Sequence, residues 1–338
     1  MKNKRKVYIH STVNDYLTPE YIDLFASMNA ELLQGTAENL LAFIEANERI
    51  QLDTETNMTD LTMDRVLYVV QLGTLYGEEQ HIFDIPDTSP RIHNILTAMF
   101  DDTEKIYLAH NAKFEYMILK QHFGVSIYNF KDTMLASRLI TAGLDLPKGY
   151  NGLANLVLHR FGVDLSKASQ TTFTGEKMTP EQLLYADSDV LYLGKLLDML
   201  LPPLKKWGLM KCWNMENRCL RAIGDMSLNG ILIDKEALAE NIVTYDKEAE
   251  ESMQEMIDAF KSDTDPIVQA KIEDLNIIQK EDEVIINWGS PTQKRNILNE
   301  LYPGENIDSS AKTALLKLEK TVSNPTVISK LLNGNTEE

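Results

Sequence analysis

The order of the apolar segments is the feature that most constrains the fold of this chain. Short β-branched and aromatic runs come first, at IQLDTET, RVLYVVQLGTL, HIFDI and KIYLAH, and most of the helical patterns follow them. Apolar runs of this length indicate strands, whereas apolar residues three and four positions apart indicate helices. The sequence therefore predicts an α/β fold in which a mixed sheet is covered by helices.

The chain divides by pattern into three parts. Its 338 residues suffice for one large domain and a smaller one, because single cores rarely grow beyond ~250–300 residues. Residues 1–34 are predicted to be an irregular lead-in with one helical turn at LTPEYIDLF. Residues 35–208 are predicted to form the main domain, and residues 209–338 a smaller helical region with an acidic stretch, DKEAEESMQEMIDAFKSDTD.

Composition indicates the setting and raises one objection. Cys212 and Cys219 have no metal-type spacing, which favours a reducing, cytoplasmic location. We find neither a secretory signal nor a membrane span, so no membrane partner is expected. The formal net charge of −18 argues against broad attraction to nucleic acid, although bound divalent cations would invert the field of an acidic cluster.

Asp53 and Glu55 end the predicted strand IQLDTET. Residues two apart on a strand point to the same face, so the two carboxylates converge. Hard cations such as Mg²⁺ take oxygen ligands of this kind. Taken alone, an acidic pair at a strand end is more often solvated or capping.

Asn111 and Glu115 lie in AHNAKFEYMIL, after the KIYL run. If the strand ends at His110, Asn111 caps the following helix, and Glu115 faces the strand end one turn later. The alternative is that Glu115 only complements the positive end of the helix dipole.

A helix is predicted to open at Thr179-Pro180 and to run to Pro202-Pro203. Tyr185 and Asp189 stack on one face of it at positions i and i+4. Asp189 lies in a run of Leu, Tyr and Val, where an unpaired carboxylate is expensive to bury. A metal or a buried arginine would remove that penalty. Asp187 points about 200° away from Asp189 and should not share its site.

These three segments resemble the DEDD superfamily of 3′→5′ exonucleases, in its tyrosine-bearing branch, over roughly residues 35–208. The fold that the resemblance implies is the ribonuclease H-like mixed sheet flanked by helices. The matching positions are Asp53 and Glu55, Asn111 and Glu115, and Tyr185 and Asp189. One departure is Glu115, because the family usually has aspartate there, and a longer side chain predicts weaker binding of a second metal or better turnover with Mn²⁺.

The resemblance implies roles for these residues around two divalent cations, Mg²⁺ or Mn²⁺. Asp53 would bridge both ions, Glu55 and Asp189 would complete the first, and Glu115 would hold the second. Tyr185 and Glu55 would position the attacking water. Thr56 and Asn111 match positions that contact the terminal nucleotide. Phe114 could stack on a base, although it equally fits a core residue of its helix.

The end of the chain has a second resemblance. MENRCLRAIGDMSLNGILIDKEAL and NWGSPTQKRNILNELYPG are similar to segments that lead into the polymerase part of family-A DNA polymerases, while nothing resembles their palm or fingers. The implied function is proofreading of single-stranded DNA 3′ ends beside a polymerase domain or subunit, with a phage-type origin favoured weakly. The alternatives are a free-standing RNase D-like enzyme, a catalytically weak scaffold for a polymerase, and part of a polymerase gene product.

Overall fold

The structure is a computed structural model that describes residues 4–57, 64–165, 173–261, 290–308 and 312–320. The chain divides into two compact units, Met1–Gly230 and Ile231–Glu338. Among the described residues, no helix is both long enough and apolar enough to cross a bilayer.

A sheet of seven strands is the centre of the first unit, in the order β2-β1-β5-β4-β3-β6-β7. The strands are β1 (Arg5–His10), β2 (Ala30–Gln34), β3 (Arg49–Thr56), β4 (Leu67–Gly73), β5 (Glu79–Asp84), β6 (Ile106–Ala109) and β7 (Phe130–Asp132). β4 runs antiparallel to β3 and β5, and the other neighbours are parallel. The mixed sheet flanked by helices that the sequence predicts is confirmed.

Helices cover both faces of this sheet. They are α1 (Pro19–Ser27), α2 (Ala37–Ala46), α3 (Pro90–Asp101), α4 (Lys113–Phe123), α5 (Thr133–Ile140), α6 (Leu153–Phe161), α7 (Pro180–Asp189), α8 (Leu193–Lys206) and α9 (Met210–Asn229). Val69 and Val70 of β4 show the division, because Val70 packs in the core under α2, α3 and α4, whereas Val69 packs in the core under α1 and α7. Successive strand residues point to opposite faces, so β4 supplies both cores.

The prediction of an irregular lead-in is wrong for residues 5–10 and 30–34, which form β1 and β2. β1 pairs in parallel with both β2 and β5, and Val7 and Ile9 are fully buried. β1 is six residues long, too short to show a period, and its partners lie far away in the chain. The predicted helical turn at LTPEYIDLF is α1.

The single helix predicted from Thr179 to Pro202 is two helices. α7 ends at Asp189, and α8 begins at Leu193 and continues past both prolines. The buried Gln51 side chain of β3 accepts a hydrogen bond from the Gly194 backbone N–H at 2.7 Å. A new helix start is favoured there because a free N–H of the first turn gains a buried partner. The helical spacing of apolar residues continues across the break between α7 and α8, so the sequence pattern did not predict two helices.

The second unit is mostly helical where it is described. Its helices are α10 (Lys235–Lys261), α11 (Pro291–Leu301) and α12 (Lys312–Leu318). Leu298, Ile307, Leu315 and Leu318 form a small apolar cluster. Residues 287–289 of the polymerase-like segment and the final residues 321–338 lie outside the described residues.

The division after Gly230 differs from the sequence boundary at residue 208, because α9 packs with the first unit. Trp213 is buried, and its Nε1 donates to the Asp132 carbonyl of β7 at 3.0 Å. The functional boundary at residue 208 stays a prediction.

Candidate active site

Asp53 and Glu55 lie on β3 in the middle of the sheet. Both side chains point to the same face because the residues are two apart on one strand. The pairing of β3 with β4 shifts between Glu55 and Thr56, an irregularity that bends a strand at its end. Glu55 is buried and Asp53 is partly buried.

Asp189 reaches this pair from the last residue of α7. The helix begins with a capping box, in which Thr179 accepts from Gln182 N–H and the Gln182 side chain accepts from Thr179 N–H. Ligand oxygens of Asp53, Glu55 and Asp189 lie within 4.8 Å of one another. The sequence expectation that these distant carboxylates meet agrees with this geometry.

Tyr185 lies one turn before Asp189, and its side chain hydrogen-bonds to that carboxylate. Burial raises the pKa of the phenol, and the charges of Asp189 and Glu55 raise it further. A phenol in this setting stays protonated at neutral pH. It can orient a water molecule but cannot deprotonate one.

Glu115 approaches Asp53 from the first turn of α4. The two carboxyl groups are close enough for each to shift the pKa of the other, and Glu115 is only 3% exposed. Its Oε2 atom is buried and has no hydrogen-bond partner among the described residues. An acceptor in that position is expensive unless a further ligand supplies its partner.

The four acids are electrostatically unfavourable together without a cation. Burial raises the pKa of Asp53 to about 7. Burial and then the charges of Asp53 and Asp189 hold the pKa of Glu55 well above its usual range. Burial and then the Asp53 charge do the same to the pKa of Glu115. An opposite charge among them would reverse these effects.

The donor set fits divalent metal ions. All the converging atoms are carboxylate oxygens, which Mg²⁺ and Mn²⁺ prefer. Asp53, Glu55 and Asp189 could hold one ion, and Asp53 with Glu115 a second. The second position is supported by the buried Oε2 of Glu115, for which the described part of the chain supplies no hydrogen-bond partner.

The predicted capping role of Asn111 is wrong. Asn111 has a positive φ of 73°, and the N-cap of α4 is Ala112, without a side-chain cap. The backbone N–H groups of Asn111 and Ala112 instead donate to the Asp132 carboxylate, at 3.2 and 2.9 Å. A partner 21 residues away in sequence therefore holds this turn.

Asp132 is a structural residue that the sequence reasoning missed. Besides holding the Asn111 turn, its Oδ1 accepts from Met134 and Leu135 N–H, which makes it the N-cap of α5. An aspartate directly before the helical pattern TMLASRLI was the available signal. Its reach across to the Asn111 turn had no local signal.

A cleft of about 400 Å³ opens over the acidic cluster. Seven of the eight residues singled out from the sequence line it: Asp53, Glu55, Asn111, Phe114, Glu115, Tyr185 and Asp189. Thr56 is outside the lining, and its hydroxyl donates to the Asn57 carbonyl at 3.1 Å. The sequence reasoning did not single out Thr54, Arg65, His110 or Leu165, which also line it.

Asp187 faces away from the cluster and is bound by Arg5. Two guanidinium nitrogens lie 2.6 and 2.5 Å from the two carboxylate oxygens. Gln80 of β5 donates to the Asp187 backbone carbonyl at 3.1 Å. The Arg5 ion pair anchors α7 to β1 and the Gln80 hydrogen bond anchors it to β5, two residues before Asp189.

A family model described as 3′-5′ exonuclease matches residues 33–205, just over half of the chain. The chain belongs to the 3′-5′ exonuclease family. The match contains all of the acids of the cleft. It begins after β1 and ends before α9.

Three relatives align with about half of the chain. Ribonuclease D of Desulfotalea psychrophila is 29% identical over 193 residues, 53% of this chain and 48% of the relative. Protein RRP6-like 1 of Arabidopsis thaliana is 29% identical over 164 residues, 48% of this chain and 24% of the relative. DNA polymerase I of Rhizobium leguminosarum is 27% identical over 175 residues, 50% of this chain and 17% of the relative. The chain thus spans about half the length of the ribonuclease D and less of the other two.

Solved structures show the same fold. The catalytic core of RRP6 from Trypanosoma brucei has a TM-score of 0.51 at 19% identity, covering 98% of this chain and 79% of that chain. A nuclease in its apo form has a TM-score of 0.51 at 24% identity, covering 67% of this chain and 94% of that one. The sheet flanked by helices is therefore that of ribonuclease H-like exonucleases, as expected.

Proposed function

We propose that this exonuclease removes nucleotides one at a time from the 3′ end of single-stranded RNA, as a free-standing enzyme of the RNase D kind. The observation that carries the proposal is the meeting of Asp53, Glu55 and Asp189 within 4.8 Å. The expectation of a polymerase-associated enzyme gives way to this alternative, because two of the three relatives above are named ribonuclease D and RRP6-like.

The residues of the cleft divide the work of hydrolysis. Cations held by the acids would lower the pKa of a bound water and offset charge on the leaving oxygen. The water would lose a proton as its oxygen bonds to phosphorus, and the bond to the 3′ oxygen of the preceding nucleotide would break. That oxygen would take up a proton, and the terminal nucleotide would leave as a 5′-monophosphate. Tyr185 and Glu55 orient the water. Asn111 and Phe114 border the space for the terminal nucleotide, and Thr56 remains a predicted contact.

The cleft favours an unpaired strand end. At about 400 Å³ it is of the size that takes a single small ligand, which suits one nucleotide and not a duplex. A frayed or single-stranded 3′ end is therefore the expected substrate, since a paired end must first be opened.

The test is a gel assay with 5′-labelled single strands of identical sequence in RNA and DNA. With Mg²⁺ or Mn²⁺, the RNA should shorten from its 3′ end one nucleotide at a time, and faster than the DNA. A 3′-phosphate should block the reaction. Absence of shortening with either metal, while Asp53→Ala behaves like wild type, contradicts the proposal.

A second candidate is proofreading of DNA, as the sequence first implied. The alignment with DNA polymerase I favours it. The polymerase domain of Pol1 from M. smegmatis has a TM-score of 0.57 at 17% identity, over 88% of this chain and 46% of that chain, which is a likeness of fold alone. Faster removal of a mismatched than of a matched DNA primer end, together with slow RNA cleavage, would select this candidate.

A measurement of metal binding distinguishes the scaffold alternative from an active enzyme. Isothermal titration with Mn²⁺ should show binding that Asp53→Ala weakens. If the two titrations match and neither protein shortens a 3′ end, the cluster is not a metal site and the scaffold alternative stands.

A further inference from the structure

Arg65 stands out in the wall of the acidic cleft. It lies two residues before β4 and lines the same space as the four acids. Among the described lining residues, it is the one lysine or arginine. A guanidinium stays charged at any pH the protein meets, so this wall carries a fixed positive charge.

The Arg65 guanidinium is held over an aromatic ring. Its central carbon lies 5.0 Å from the centroid of the Phe114 ring, a distance at which the ring attracts a cation. Phe114 itself packs against the main apolar core from α4. The ring thus gives the guanidinium a rigid base at the edge of the cleft.

This charge has no anionic partner in the described part of the chain. No ion pair found there includes Arg65, although acids line the same cleft. Its Nε atom is buried and without a hydrogen-bond partner among the described residues. A buried donor of this kind ordinarily has an acceptor, and a ligand in the cleft would supply it.

Charge balance identifies the ligand. Four ionised acids and two divalent cations neutralise each other, which leaves the negative charge of a phosphodiester at the cations without a counter-charge. The paired N–H groups of arginine match two phosphate oxygens. On a chain with a net charge of −18, a positive charge in the wall of the cleft favours the binding of a polyanion.

We propose that Arg65, held over Phe114, binds the non-bridging oxygens of the scissile phosphate and positions the strand for hydrolysis. The inference rests on the proposed function, because it requires a strand end at the acidic cluster. Arg65 contacts the substrate directly and holds its phosphate, while the acids and Tyr185 would hold the cations and the water.

The test measures the affinity for a single strand while the charge at residue 65 and the charge of the scissile phosphate are changed. R65Q removes the charge, and R65K keeps it but loses the paired donors. R91Q is the matched control, because Arg91 lies on α3 outside the cleft and pairs with Glu38 on the surface. Each protein is titrated with a dye-labelled single strand in Ca²⁺, with the strand length verified on a gel, and its fold is verified by circular dichroism.

R65Q should weaken binding ~10-fold and lower the salt slope of log K by ~0.7, the value for one phosphate contact on a single strand. R65K should fall between R65Q and wild type, and R91Q should match wild type. On a strand whose scissile phosphate is a neutral methylphosphonate, wild type and R65Q should bind equally. In steady-state cleavage of the ordinary strand, KM should rise more than kcat falls.

The inference is overturned if folded R65Q binds the strand with the affinity and salt slope of wild type. It is also overturned if R65Q loses as much affinity for the methylphosphonate strand as for the ordinary strand. If R65Q does not fold, the comparison of R65K with wild type on the two strands decides in the same way. Failure of the proposed function looks different, because the wild type itself would then leave every strand intact.

Discussion

Replacement of Asp53 by asparagine should stabilise the metal-free protein while it abolishes nuclease activity. Burial raises the pKa of the folded carboxyl from its usual 3.8 to about 7. Because the folded pKa is above the unfolded one, the contribution of the Asp53 carboxyl to stability is fully present below pH 3.8. It is lost as the pH rises through about 7. Three pKa units correspond to ~4 kcal/mol, and partial exposure of Asp53 reduces this to ~2 kcal/mol.

The assay is thermal unfolding followed by circular dichroism in EDTA, at pH 5 and pH 8. For a unit of this size, ~2 kcal/mol shifts Tm by ~4–8 °C, so Asp53→Asn should melt higher than wild type at pH 8, with a smaller difference at pH 5. Mn²⁺ should raise the wild-type Tm and close the gap. Asp101→Asn, on the exposed end of α3, serves as control.

Two results would refute the reasoning. One is an equal Tm for Asp53→Asn and wild type at pH 8 in EDTA, which would mean that ionisation of the buried Asp53 carboxyl does not destabilise the folded protein. The other is an equal rise in Tm with Mn²⁺ in both proteins, which would place the cation elsewhere.

Four further predictions follow from the site and its supports. Asp189→Ala should lower the rate of strand shortening in the gel assay at least ~100-fold, because a cation ligand is lost. Glu115→Asp should raise the ratio of Mg²⁺ to Mn²⁺ activity, since the shorter side chain suits octahedral Mg²⁺ better; an unchanged ratio would contradict a role at the second ion. Asp132→Ala should lower the free energy of unfolding, measured in urea, by ~2–4 kcal/mol, because four backbone N–H groups lose their acceptor. Arg5→Gln should lower it by ~3–5 kcal/mol through an unpaired buried Asp187, and Arg5→Gln combined with Asp187→Asn should recover part of that loss.

The parts of the fold and site that depend on short-range periodicity were predictable. Asp53 and Glu55 share a face because strands alternate, and Asp189 was conspicuous as a charge within an apolar run. The mixed sheet followed from the order of strands and helices. Each of these inferences needs only a few neighbouring residues.

The features that were missed depend on partners far away in sequence. β1 is a strand because β2 and β5 flank it, and its six residues show no period of their own. Asn111 does not cap α4 because Asp132, from another strand, takes over the nearby N–H groups. Arg65 lies in a loop, where position relative to the cleft is set only by the folded chain.

The Arg5–Asp187 pair limits how far the chain can be truncated before the support of the acidic cleft is lost. The segment that the family model recognises, residues 33–205, contains every cleft acid but excludes Arg5 as well as Trp213 and Asn217, which hold β7. A protein trimmed to that segment would expose a buried aspartate two positions from Asp189 and free the strand that carries Asp132. The shortest fragment expected to keep the acidic cleft folded therefore runs from β1 to the end of α9.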